Sequence, residues 1–372
     1  MPFEEIAKPW VKELAVYEPG RPIEEVAREL GIEDPATIDK LASNENALGP
    51  SPLAVAAMKE AAERMHYYPD GGTYHLREAL AKKLEVRPEQ LVIGNGSNEL
   101  IELLAHVFLG PETNIVMSER AFVVYRLIAS AYEASTIAVP MEGFTHDLKA
   151  IRKAITPETK LVFVANPNNP TGTAATPRDI EKFMDAVPEH VVVVFDEAYV
   201  ELLEPDQQPD TLTYVREGRQ VVVLRTFSKT YGLAGLRIGY AVAPAACAQL
   251  LHRVRQPFNV NAMAMAAAQA ALEDDAHVAK TRELVSSELA FLAEQLQAQQ
   301  VPHVPSVTNF MLVRVDDGRK VFEVLQKEGV IVRPMDGYGL AEYIRVTLGT
   351  REQNERFLAA LEKVLAEQKQ EH

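Results

Sequence analysis

The sequence predicts an α/β protein with a three-layer αβα large domain around a mostly parallel sheet, plus a smaller α+β domain. Three observations carry this. Short apolar runs alternate with helical patterns from about residue 75 to 245. Most of those runs are β-branched and apolar nearly throughout, as expected of strands covered on both faces. After Gln256 the composition shifts, and helices and strands of a second lobe follow.

The elements follow in order. The first 45 residues carry prolines at 2, 9, 19, 22 and 35, too irregular for a lobe of their own. They are expected to pack on the C-terminal lobe or on a neighbouring subunit. Strands are expected at 91–93, 114–117, 136–139, 161–165, 191–195, 221–224 and 238–242, with helices at 74–84, 98–108 and 177–187 between them. Pro177 stands where a helix would begin. Residues 261–272, rich in Ala and Met, read as a helix packed closely against something, and 275–298 as a long amphipathic helix. Strands at 310–315 and 343–348 and helices at 319–328 and 353–368 complete the second lobe. The expected division is 1–45 as an N-terminal segment, 46–260 as the large domain and 261–372 as the small one.

Bulk properties exclude several classes. The chain has 372 residues, 47% hydrophobic and 24% charged, with a formal net charge of −15. An acidic surface is a poor partner for nucleic acid or anionic membrane. No window approaches 18 uninterrupted apolar residues. The N-terminus lacks a cationic region followed by an apolar run, so a cytoplasmic location is expected. The single cysteine, Cys247, rules out an internal disulfide and reads as an inert packed thiol. His66, His75, His106 and His146 show no metal-ligand spacing, so no metal is expected.

The chemistry points elsewhere. Lys229 lies in Arg225-Thr-Phe-Ser-Lys-Thr-Tyr-Gly-Leu-Ala-Gly-Leu-Arg237, after a buried strand. Held out of bulk water, a lysine amine loses its proton more readily and attacks carbonyls. Read by itself, Lys229 fits a solvated loop lysine as well as such a nucleophile. The surrounding hydroxyls and glycines could surround a phosphate, and Arg237 adds a fixed positive charge. A Schiff-base lysine beside a phosphate cup describes a pyridoxal 5'-phosphate site. Asp196 follows the apolar run 191–195. It is either a turn cap or a carboxylate that keeps a pyridinium nitrogen protonated. Tyr199 and Asn169, the latter in the turn Asn166-Pro-Asn-Asn-Pro-Thr-Gly172, could reach the same cofactor's 3-oxygen. Gly94-Asn-Gly-Ser-Asn-Glu99 fails the dinucleotide fingerprint at Glu99, but a glycine turn opening a helix binds a single phosphate well.

Together these runs resemble the fold-type-I pyridoxal-phosphate-dependent aminotransferases, and within them the histidinol-phosphate aminotransferase group. Further runs support this: Leu41-Ala-Ser-Asn-Glu-Asn46, Tyr67-Tyr-Pro-Asp-Gly71, Gln256-Pro-Phe-Asn-Val-Asn261 and Tyr343-Ile-Arg-Val-Thr-Leu-Gly-Thr350. The resemblance implies that Lys229 holds the cofactor and shuttles a proton, that Asp196 pairs with the ring nitrogen, and that Asn169 and Tyr199 contact the 3-oxygen. Gly96, Ser97, Asn98, Ser228 and Arg237 would hold the phosphate, and Phe122 would stack on the ring. Tyr68 would reach the phosphate from the other subunit of a homodimer. Arg345 would clamp the substrate carboxylate. Arg333, Tyr17, Asn44 and Asn259 would contact the rest of the substrate, with Arg333 foremost for its phosphate. The implied partners are a small-molecule amino donor and 2-oxoglutarate, reacting in ping-pong order.

The sequence departs from the family pattern at Ala47, where proline is usual, at Asn98, where many members have Asp, and at Phe122, where Tyr is common. None removes a catalytic group; they bear on substrate choice. Two other readings keep the cofactor: an aromatic amino acid aminotransferase, or a decarboxylase of a phosphorylated amino acid. A third, a catalytically silent cofactor-binding regulatory module, sits badly with the presence of both Lys229 and Asp196.

Overall fold

The computed structural model describes residues 2–14, 16 and 20–370. Seven strands form the large sheet: β1 Leu91–Gly94, β2 Asn114–Ser118, β3 Ser135–Val139, β4 Thr159–Ala165, β5 Val192–Asp196, β6 Val221–Thr226 and β7 Gly239–Val242. Their order is β1-β7-β6-β5-β4-β2-β3. Every neighbouring pair is parallel except the two that β7 makes. β5 begins one residue later than expected and takes Asp196 into the strand.

The apolar runs have no polar period because two cores share them. Val193, Phe195, Val221 and Val223 face one core. Val192, Val194, Val222 and Leu224 face the other. Each strand's period of two deals successive side chains to opposite faces. β3 at the edge is the exception, with only Val139 buried.

Capping side chains set several helix starts. Thr176 Oγ1 accepts from the Asp179 N–H (3.2 Å) ahead of Pro177–Ala186. Asn261 Oδ1 accepts from the Ala264 N–H (2.7 Å) ahead of Ala262–Ala271.

The smaller lobe holds a four-stranded antiparallel sheet of β8 His303–Val304, β9 Phe310–Arg314, β10 Arg333–Pro334 and β11 Tyr343–Thr347, in the order β10-β11-β9-β8. β8 and β10 have two residues each, too short to show periodicity in the sequence. Helices Asp275–Ala298, Gly318–Lys327 and Arg351–Gln370 flank this sheet. Asp39–Lys40 pairs in parallel with Val330–Ile331, tying the N-terminal segment to this lobe.

The division expected at 260/261 does not follow the packing. Ala264, Ala267, Ala268 and Ala271 of the alanine-rich helix lie in the core of the large sheet, against Ala54 and Leu76. Small side chains let this helix approach closely. It belongs with the large sheet, and the smaller lobe takes over at the helix that starts with Asp275.

Candidate active site

The carboxyl ends of the parallel strands converge, as ligand sites in α/β sheets require. Ser97 and Asn98 follow β1, Phe122 and Tyr125 follow β2, and Asn169 follows β4. Asp196 ends β5, and Ser228 and Lys229 follow β6. All of them line one cavity, together with Tyr199 and Arg237. The smaller lobe closes it with Arg333 and Arg345. Ile344 and Val346 point into that lobe's core, so alternation along β11 turns Arg345 to the other face. Arg333 stands directly opposite Arg345 in the antiparallel register. Like charges so placed repel, and an anion between them relieves that.

Lys229 Nζ donates to the carbonyls of Ser43 (3.3 Å) and Asn44 (3.2 Å) and lies 5.7 Å from the centre of the Tyr199 ring. Burial pushes its ammonium down to about 7; Arg345 and Arg237 add to this, against Glu45 and Asp196. Asp196 is 5% exposed. Its Oδ2 accepts from the Tyr125 hydroxyl at 2.6 Å, while Oδ1 has no partner among the described residues. Burial raises its carboxyl to about 6 against the donation from Tyr125. Tyr199 is buried, and its hydroxyl accepts from Asn44 Nδ2 at 2.9 Å. Burial lifts that phenol to about 12. Arg345 donates to Asn169 Oδ1 and, at 3.0 Å, to the Ala42 carbonyl.

At the opposite end, helix Ser97–Phe108 starts at Gly96 with φ 77° and no capping side chain. Its first N–H groups carry the positive end of the helix dipole toward the cavity. At φ 77° any side chain on residue 96 would be strained, and its Cβ would push the Arg237 guanidinium out of place. Arg237 donates to the Ala234 carbonyl (3.1 Å) and to Ser228 Oγ (3.4 Å).

Asn259 and Tyr68 do not line this chain's cavity, Tyr68 being expected there from a neighbouring subunit. Asn259 is committed elsewhere: its amide donates to Glu99 Oε2 (2.6 Å) and to the Ile93 carbonyl (3.2 Å). Tyr68 is 83% exposed and stacks on Phe258 at 4.9 Å. Tyr17 lies outside the described residues. Asn44 lines the cavity, but its side chain holds the Tyr199 hydroxyl and accepts from Thr347 Oγ1 (3.2 Å). Sequence reasoning missed Tyr125 and Tyr338, which also line the cavity. Tyr125 lies three residues after Phe122, a helical spacing that could have drawn it in.

The residues present fit pyridoxal phosphate. The unpartnered Asp196 Oδ1 suits a protonated ring nitrogen, the lowered Lys229 amine suits an aldehyde, and the uncapped helix start beside Arg237 suits a phosphate. Fold and cavity together define a fold-type-I pyridoxal-phosphate enzyme. The chain belongs to the class I and II aminotransferase family, whose model matches residues 37–361. It is 48% identical over 366 residues to the histidinol-phosphate aminotransferase of Akkermansia muciniphila, covering 98% of this chain and 100% of that one. It is 50% identical over 352 residues to the histidinol-phosphate aminotransferase of Moorella thermoacetica, covering 94% and 90%. The solved histidinol-phosphate aminotransferase of Sinorhizobium meliloti in complex with pyridoxal-5'-phosphate is 26% identical. It matches with a TM-score of 0.88 over 97% of this chain and 98% of that one.

Proposed function

We propose that this chain is a pyridoxal-phosphate-dependent aminotransferase of histidine biosynthesis, with histidinol phosphate as amino donor and 2-oxoglutarate as acceptor. It works in the cytoplasm as a homodimer. The carrying observation is the cationic wall of Arg333 and Arg345, directly opposite each other across one strand pair and lining the same cavity as Lys229. Identities of 48% and 50% to histidinol-phosphate aminotransferases support the same donor.

When bound, the cofactor supplies an electron sink for the charge left on a substrate carbon that has lost its proton. The chain's residues do the rest. Lys229, near 7, is partly unprotonated at neutral pH, so it would hold the cofactor through its aldehyde carbon and, once released, would take the proton from the substrate carbon. Asp196 Oδ1 would hold the proton on the ring nitrogen. Tyr199 and Asn169 would meet the 3-oxygen, and Phe122 would cover one ring face. Gly96, Ser97, Asn98, Ser228 and Arg237 hold the phosphate, with Tyr68 added from the partner subunit. Arg333 and Arg345 meet the donor's phosphate in one half-reaction and the acceptor's carboxylates in the other, as planar guanidinium groups suit both. Asn44 keeps Tyr199 and Lys229 in place.

Steady-state rates with histidinol phosphate, phenylalanine and threonine phosphate, each against 2-oxoglutarate, test this. Histidinol phosphate should give the highest kcat/KM, with parallel double-reciprocal lines. A higher kcat/KM for phenylalanine would overturn the donor assignment.

A further inference from the structure

Asp196 has two carboxylate oxygens, and the protein commits only one of them. Oδ2 accepts from Tyr125 at 2.6 Å, and Oδ1 is left for a ligand. Tyr125 is 1% exposed, so its hydroxyl cannot turn to water instead. Its ring stacks on Phe163 at 4.3 Å, with 8° between the planes, and meets Phe122 edge-on at 5.7 Å. The phenol is therefore held on both sides, and its oxygen has one place to go.

We propose that Tyr125 is a positioning residue for this reaction: its hydroxyl holds Asp196 as a carboxylate and turns Oδ1 toward the cofactor's ring nitrogen. The inference rests on the role given to Asp196 above. The other titratable groups around Asp196 are Glu197, Tyr199 and Lys229. Glu197 is engaged with Arg225 and raises the Asp196 carboxyl, opposing the ionised form. The Tyr199 hydroxyl is held by Asn44, and Lys229 is consumed by the cofactor. That leaves Tyr125 as the side chain that favours the charged carboxylate by direct contact. Burial and the Asp196 charge raise the Tyr125 phenol well above its ordinary value, so it stays a donor.

The test is Tyr125→Phe, which keeps the stacked ring and removes only the hydroxyl, run beside Asp196→Asn. A lost hydrogen bond to a charged group predicts a fall in kcat/KM of about 10- to 100-fold and a weaker cofactor Kd, read by titrating cofactor-free protein. The acid limb of the half-reaction pH profile should move to higher pH, because Asp196 without its donor takes up a proton more readily. A residue that serves packing alone would lower the melting temperature and leave Kd and pH profile in place. If Tyr125→Phe does not fold, difluorotyrosine at position 125 carries the test. A stronger donor there should move that limb to lower pH, and an unmoved limb counts against the proposal. Unchanged Kd and pH profile in Tyr125→Phe, with Asp196→Asn impaired, would overturn it. Both variants unimpaired would instead overturn the reading of Asp196.

Discussion

The ends of β5 and β6 carry two acid–base pairs on opposite faces of one sheet, and the protein treats them in opposite ways. On one face, Glu197 is fully buried and Arg225 donates to it twice, at 2.9 and 2.8 Å, with the Thr211 hydroxyl on its other oxygen. On the other face, among the described residues, Asp196 keeps one oxygen unpartnered and Lys229 donates at 3.2 and 3.3 Å to two carbonyls. Adjacent residues at a strand end thus yield a satisfied ion pair on one side and a carboxylate with an open oxygen on the other. Satisfaction holds the Glu197 side fixed. On the Asp196 side, burial without such pairing raises Asp196 to about 6 and lowers Lys229 to about 7, leaving both ready for a ligand. Glu201 is the exception beside the Glu197 pair: its Oε2 is unpartnered, and burial lifts its carboxyl to about 7.

The contrast can be broken from either side. Lys229→Ala should cost about 10⁴-fold or more in kcat, and the borohydride-reducible adduct should vanish. Retention of that adduct would mean the wrong lysine. Glu197→Gln leaves Arg225 buried without its counter-charge. It should destabilise the fold by about 3–5 kcal/mol in urea unfolding, while the folded fraction keeps most of its kcat. Asp196→Asn should do the reverse: a loss of about 10²–10³-fold in kcat with an unchanged or higher melting temperature. A pH series on cofactor-free protein sharpens this further. The Asp196 carboxyl rises from 3.8 to about 6 on folding. Between those values the folded protein binds the proton that the unfolded chain releases. Stability should therefore decline as pH rises through that window and then level. Asp196→Asn should lack that part of the decline.

How much of this was legible follows from where each signal resides. The central strands are unbroken apolar runs, so their existence was plain, and Lys229, Asp196 and Asn169 stand just where such runs end. The reversed direction of β7 was not legible, because a buried run reads the same both ways. The two-residue strand at Arg333 was too short for any period. Tyr125 and Asn259 failed for a shared reason. A buried tyrosine in a helix resembles core, and an asparagine in a turn resembles a ligand contact, until partners are known. In the folded chain Tyr125 holds Asp196 and Asn259 holds Glu99. The alanine-rich helix showed by composition that it approaches something closely, and only tertiary contact identified the large sheet as its partner.

The cavity lining carries Lys229, Arg237, Arg333 and Arg345 against only Glu45 and Asp196, inside a chain of net charge −15. Such a basin of positive potential, walled by low-dielectric protein in a chain of negative net charge, acts over distance before any contact forms. It attracts a doubly charged phosphate ester more strongly than a chain of this net charge otherwise would. Salt shortens that reach to about 8 Å at physiological ionic strength. The rate of encounter, read as kcat/KM, should fall as salt rises, while kcat at saturation holds steady.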